Sequence, residues 1–147
     1  MHLDQDFREF IALLLENDVR FMVVGGYAVA RHGWPRFTDD LDLWLWVDPT
    51  NASGVVDALR EFGFGDVGLT VDDFLEEDQV VQLGRPPLRI DLLTGLDGVR
   101  FSDCHRRVVV TELDGLFVPF IGRDDLITNK RASGRPQDLA DIAALEG

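Results

Sequence analysis

Apolar residues recur at Phe7, Phe10, Ile11, Leu14 and Leu15, with Asp, Arg and Glu between them. That spacing predicts an amphipathic opening helix over residues 4–17. Val19 to Val24 is short, β-branched and apolar, and predicts a buried strand. Gly25-Gly26 ends it, and Tyr27 to His32 predicts the start of a helix that Gly33-Trp34-Pro35 breaks. From Asp40 to Val47 the pattern alternates. Leu41, Leu43, Leu45 and Val47 fall on one face of a second strand, and Asp40, Asp42, Trp44 and Trp46 on the other. Residues 50–62 predict a helix closed by Gly63. Gln79 to Leu83 and Leu88 to Leu93 predict a hairpin across Gly84-Arg85-Pro86-Pro87. Arg107 to Thr111 and Leu116 to Val118 predict short edge strands around Asp114-Gly115. Asp124 to Ala132 and Pro136 to Leu145 predict two closing helices split by Gly134, with Pro136 in a first helical turn. This order implies an α+β class, with a mixed α/β sheet flanked by helices and residues 1–147 forming one domain.

Composition narrows the picture. Hydrophobic residues make up 46% of the chain, enough to build a core rather than a disordered coil. Cys104 is the one cysteine, so no intramolecular disulfide can form and a reducing compartment is expected. No apolar run approaches the roughly 18 residues of a membrane helix. Met1 to Phe10 carries Asp4, Asp6 and Glu9 rather than the basic and apolar regions of a signal peptide, so a cytoplasmic protein is expected. Net charge is −13, from 27 acidic and 14 basic residues, and such a field disfavours non-specific nucleic-acid binding. It leaves room for a nucleotide escorted by a divalent cation, because the ion inverts the local charge logic. Lys130 is the one lysine.

The candidate chemistry centres on Thr38-Asp39-Asp40-Leu41-Asp42-Leu43. Acids at i and i+2 of a strand point the same way, and two crowded carboxylates raise each other's pKa unless a cation intervenes. Mg²⁺ with hard oxygen ligands would remove that penalty. A solvated strand face is the plain alternative. Gly25-Gly26, between a strand and a helix, suits either a phosphate approached by backbone N–H groups or a tight turn. Asp91 lies inside the apolar run Leu88-Arg89-Ile90-Asp91-Leu92-Leu93, where an acid is unusual. It is either a third inward ligand or an ion-pair partner for Arg89 on the same face. His2, His32 and His105 lack metal-ligand spacing. Ser53, Ser102 and Ser133 lack a hydrolase pattern, and Cys104 reads as a buried thiol. Trp34, Trp44 and Trp46 suit base stacking or, more plainly, core packing.

Val23-Val24-Gly25-Gly26-Tyr27-Ala28-Val29, then Arg36-Phe37-Thr38-Asp39-Asp40-Leu41-Asp42-Leu43, then Arg89-Ile90-Asp91-Leu92 resembles the DNA polymerase β-like nucleotidyltransferase superfamily. The likeness points to its minimal single-domain bacterial branches. These include lincosamide-type antibiotic nucleotidyltransferases and the toxin-like enzymes of abortive-infection and toxin–antitoxin systems. It spans residues 19–93, with a looser match around Lys130, Arg135, Asp138 and Asp141. The resemblance implies transfer of a nucleoside monophosphate from an NTP to an acceptor hydroxyl on a small molecule, a protein or a tRNA end. It implies two Mg²⁺ ions, or Mn²⁺, held by the catalytic acids Asp40, Asp42 and Asp91. Nucleotide contacts are implied for Gly25, Gly26, Arg36, Thr38 and Lys130, although ion pairing is the commoner fate of such a lysine. Arg135, Asp138 and Asp141 read as structural. Gly26 stands where many members carry Ser, which passes that phosphate contact to backbone or Thr38. A large C-terminal acceptor domain is not expected in the chain, which leaves the acceptor open and permits a homodimer to complete the cleft; a cognate antitoxin is the partner that the toxin-like branch implies. A catalytically degenerate fold that binds nucleotide or protein is the alternative reading.

Overall fold

The structure is a computed structural model and describes residues 3–33, 38–85 and 88–147. Helix α1 (Gln5–Glu16) starts at Asp4, whose carboxylate accepts from the Asp6 N–H at 2.8 Å, and it buries Phe7, Phe10, Ile11 and Leu14. Strand β1 (Phe21–Val24) is buried along its whole length, as a strand enclosed on both faces must be. Helix α2 (Gly25–Arg31) follows at once, and β2 (Asp40–Leu45) returns antiparallel to β1. Helix α3 (Pro49–Leu59) is capped by Asp48 and runs into a wider turn over Arg60–Phe64, where Gly63 takes φ 103°.

The hairpin of β3 (Val80–Arg85) and β4 (Leu88–Leu93) sets β4 parallel to β2. Helix α4 (Phe101–His105) leads to a second hairpin, β5 (Val109–Leu113) and β6 (Leu116–Phe120). Helices α5 (Arg123–Ser133) and α6 (Pro136–Glu146) end the chain, parted by Gly134 at φ 65°. The six strands lie in the order β3-β4-β2-β1-β6-β5, a mixed sheet in an α+β fold. Leu41, Leu43 and Leu45 of β2 are fully buried. Trp44, on the other face, is covered edge-on by Phe101 of α4.

Asn51 ties the sheet to α3. Its Oδ1 accepts from the Arg20 N–H at 2.7 Å, and its Nδ2 donates to the Arg20 and Trp46 carbonyls at 3.0 and 2.8 Å. One buried amide thereby clamps the start of β1 to the end of β2.

The structure departs from the sequence pattern in several places. β2 ends at Leu45 rather than Val47, because Trp46 turns its N–H to the Arg20 carbonyl and its side chain to Phe101. Gly25 and Gly26 lie inside the first turn of α2, not before it. Of the two C-terminal strands only β5 is an edge, since β6 inserts beside β1 through a parallel pairing. The short helix α4 and the 3₁₀ turn Val71–Phe74 were not expected, and each is held by one or two buried aromatic or thiol groups rather than by a periodic stripe. The breaker residues Trp34 and Pro35 and the loop residues Pro86 and Pro87 lie outside the described residues. Among the described residues no helix is long and apolar enough to cross a membrane.

Asn51→Leu should lower stability by roughly 2–3 kcal/mol, because the Arg20 N–H and the Trp46 carbonyl lose a partner where water reaches poorly. Asp48→Ala, which removes only the cap of α3, should cost about 1 kcal/mol. Urea unfolding of the two variants against the parent checks both magnitudes.

Candidate active site

Three adjacent strands build the site. The register sets Val24 of β1 beside Asp42 of β2, and Asp42 beside Asp91 of β4. Side chains in register on neighbouring strands share a face, so the Asp42 and Asp91 carboxyls meet and hydrogen-bond. One register step along, Asp40 stands beside Arg89. The Arg89 guanidinium bridges the acids, donating from Nη2 to Asp40 Oδ2 at 2.8 Å and from Nε to Asp91 Oδ1 at 3.0 Å. Asp91 therefore pairs with Arg89 and also lies beside Asp42.

The cluster is short of positive charge. Asp91 is buried, and Asp42 is pushed up to about 7 by burial first, then by Asp91 and Asp40, with Arg89 offsetting only part of it. Gly25 explains how Asp42 fits. Its φ is +68°, and a Cβ there would collide with Asp42 Oδ2. Glycine is required at 25 by the left-handed backbone and by the carboxylate lying against it. Gly26 is buried within α2.

The remaining nucleotide-site candidates are more scattered. Thr38 donates from Oγ1 to the Asp40 carbonyl at 3.3 Å, bracing the start of β2. Arg36 lies outside the described residues. Lys130 is buried between α5 and α6, with Nζ 3.2 Å from Asp138 Oδ1 and 2.9 Å from Asp141 Oδ2. In this arrangement its charge is taken up inside the protein. Asp138 also accepts from Arg135 Nε at 2.7 Å. Burial alone would raise the Asp138 carboxyl, but the bonds from Arg135 and Lys130 hold it below its ordinary value. Trp44 is core, and Trp34 lies outside the described residues.

Sequence reasoning took Arg135 as structural. The structure gives it a second aspect: its side chain is 76% exposed while its guanidinium feels the charge of Asp42. The buried Lys130–Asp138–Asp141 set joins α5 to α6, and Asp138 holds the Arg135 guanidinium. No spacing in the sequence signals the small effect of Asp42 on Arg135, because it arises only through the packing of the last two helices. The bridging role of Arg89 was half legible: its place on the Asp91 face follows from alternation, but its reach to Asp40 needs β2 and β4 to be parallel neighbours.

Whether a divalent cation suits this donor set can be judged from charge and chemistry. The donors are hard carboxylate oxygens, and burial first, then the neighbouring Asp91 and Asp40, push Asp42 up to about 7; a cation would offset the repulsion between the acids. Among the described residues no three His, Cys, Asp or Glu side chains already stand as a cation cage. Asp40 and Asp91 are instead spanned by Arg89, which must give way for a metal to bind.

The raised Asp42 makes a pH prediction. The folded protein keeps this proton up to about pH 7, whereas the unfolded chain releases it near its ordinary value of 3.8. Between those limits the native state binds more protons, so stability from this group falls as pH rises. With a chelator present, Asp42→Asn should lose less stability than the parent between about pH 5 and pH 8. Urea midpoints at the two pH values read the difference. Gly25→Ala should be far more damaging than Gly26→Ala, because only the first meets both a left-handed φ and a carboxylate; thermal melts of the pair check this.

No protein-family model matches the chain, and no curated protein matches it by sequence. Solved structures do resemble it. The lincomycin-bound crystal structure of the lincosamide antibiotic adenylyltransferase LnuA superposes with a TM-score of 0.58 at 13% identity, covering 99% of this chain and 98% of that one. A candidate nucleotidyltransferase of Thermotoga maritima superposes with a TM-score of 0.57 at 13% identity, covering 99% and 94%. The resemblance carried by the Gly-Gly turn, the Asp-x-Asp strand and the later strand acid therefore extends to the whole backbone, and the chain has the nucleotidyltransferase fold.

Proposed function

We propose that this protein is a metal-dependent nucleotidyltransferase that moves a nucleoside monophosphate from an NTP to an acceptor hydroxyl. The observation that carries this reading is the meeting of Asp42 and Asp91 from separate strands, against Gly25, with Asp40 joined to them through Arg89. A core does not need two neighbouring carboxyls, one raised to about 7, and would be more stable without them.

In this reading Asp40, Asp42 and Asp91 hold Mg²⁺ or Mn²⁺. When bound, the divalent ions neutralise phosphate charge and lower the pKa of the acceptor hydroxyl. The protein's own part is positioning. The turn at Gly25 and Gly26 leaves backbone close to the acids for the phosphate chain, and Thr38 steadies the backbone of Asp40. Arg135, largely exposed and electrostatically linked to Asp42, is the cation we assign to the phosphates; its planar fork suits that role. Lys130 contributes by fixing Arg135. Asp91 would bind the second ion or act as the general base for the acceptor hydroxyl, and its nearness to Asp42 supports either role. Net charge of −13 disfavours a tRNA end as acceptor. The lincomycin-bound neighbour of nearly equal extent makes a small hydroxylated molecule the first acceptor class to test.

One observation favours a second reading. Arg89 already spans Asp40 and Asp91, as in a degenerate fold that has replaced its ions with a guanidinium and binds nucleotide or a protein partner. The two readings separate cleanly. An enzyme should transfer label from one α-³²P NTP to a hydroxylated small molecule only with Mg²⁺ or Mn²⁺. Asp42→Asn should lower turnover by at least about 100-fold while its circular dichroism stays native. Label transfer that persists in Asp42→Asn removes this residue from the chemistry. Nucleotide binding with no dependence on Mg²⁺ in the parent supports the degenerate fold.

A further inference from the structure

Arg89 joins acids that come from two strands. It leaves β4 on the same face as Asp91, two residues away, and in register with Asp40 of β2. Its Nε donates to Asp91 Oδ1 at 3.0 Å, and its Nη2 to Asp40 Oδ2 at 2.8 Å and Asp91 Oδ2 at 3.3 Å. Among the described residues it is the one cation bonded to the acids of the site. Three carboxylate oxygens of the proposed ligand set therefore already hold a partner. We propose, resting on the reading of Asp40, Asp42 and Asp91 as ion ligands, that Arg89 is a tethered competitor of the divalent cation. It holds Asp40 and Asp91 until an ion displaces it, and so sets how tightly that ion binds.

The pairing is strong enough to compete. Its hydrogen bonds are charge-assisted, and two guanidinium nitrogens engage Asp91 at once. The Arg89, Asp40 and Asp91 side chains are 28%, 33% and 11% exposed, so water screens them less than a pair on the open surface.

The pairing is also built to yield. Side-chain rotation alone can take the guanidinium off Asp40, because the backbone ladder of β2 and β4 does not depend on it. Arg89 brings one positive charge to three acids, whereas a divalent ion brings two and contacts them more closely. The exchange therefore favours the ion where it is plentiful and the arginine where it is scarce. A competitor of this kind lowers apparent affinity by the fraction of molecules in which it stands aside.

Calorimetry of the chelator-stripped full chain with MnCl₂ reads the competition. Arg89→Met removes both charge and fork, and should tighten Mn²⁺ binding by about tenfold or more. Arg89→Lys keeps the charge without the planar fork, and should fall between the parent and Arg89→Met. Arg135→Gln removes the same charge from a guanidinium that bonds Asp138 instead, and should change the affinity far less. In chelator Arg89→Met should melt below the parent, and Mn²⁺ should raise its melting temperature more than the parent's. One readout uses the parent itself. With ¹⁵N-labelled arginine, the Nε resonance that Arg89→Lys lacks should shift on saturation with Mg²⁺. Equal Mn²⁺ affinity in the parent and Arg89→Met, or an unmoved Arg89 resonance in the saturated parent, overturns the competition and leaves the metal-dependent reading standing. An equal gain from Arg135→Gln also overturns it, since net charge then explains the effect. Binding by Arg89→Met with none by the parent reveals a guanidinium that no ion displaces, which overturns the exchange and favours the degenerate fold. Absence of Mn²⁺ binding in every protein removes the competition and the metal-dependent reading together.

Discussion

Two carboxyl groups facing each other across neighbouring strands, in a largely buried place, are the constraint around which this fold is arranged. Asp42 and Asp91 cannot both ionise there without a cation close by, and the protein meets that demand from several directions. Arg89 enters from within the same strand as Asp91 and ties Asp40 to it. Gly25 gives up a side chain so that Asp42 has somewhere to lie. The cluster stays short of positive charge even so. That shortage is the physical reason for reading it as a place where metal and phosphate meet rather than as a structural ion pair.

Behind the acids stands a second set of charges that is closed on itself. Lys130 is shared by Asp138 and Asp141, and Asp138 is shared by Lys130 and Arg135. Burying such a set is costly unless each member is matched, and here the matching locks the junction of α5 and α6. What emerges is one largely exposed arginine whose guanidinium is held by Asp138. The single lysine of the chain is buried against the same carboxyl.

The sheet divides its tasks by strand. The strands β1, β2 and β4 bring the acids together at the centre of the sheet, with the pairing of β1 and β2 extended by the Asn51 clamp at one end. The β5–β6 hairpin lies away from that centre and exposes apolar residues and unpaired backbone instead. An acidic face and an apolar edge on the same sheet can coexist because strand alternation and strand order keep them apart.

The sequence by itself determined most of the elements, α4 and the turn Val71–Phe74 excepted, and the identity of the acids. Period-two alternation set Asp40 and Asp42 on one face of β2 and Asp91 with Arg89 on one face of β4, since a strand leaves no other choice. Alternating apolar positions and the Gly25-Gly26 and Asp114-Gly115 breaks fixed most element boundaries to within a few residues. Local pattern does not carry strand order, and so only the tertiary structure decided that β4 lies parallel beside β2, with Asp91 in register with Asp42 and Arg89 within reach of Asp40. The same holds for Lys130 and Arg135, whose environments arise from helices that meet far from the acids in sequence. It holds too for Gly25, whose need for hydrogen at Cα comes from a carboxylate on a different strand. Contacts between distant segments are set by how whole elements pack, and no window of neighbouring residues contains that information.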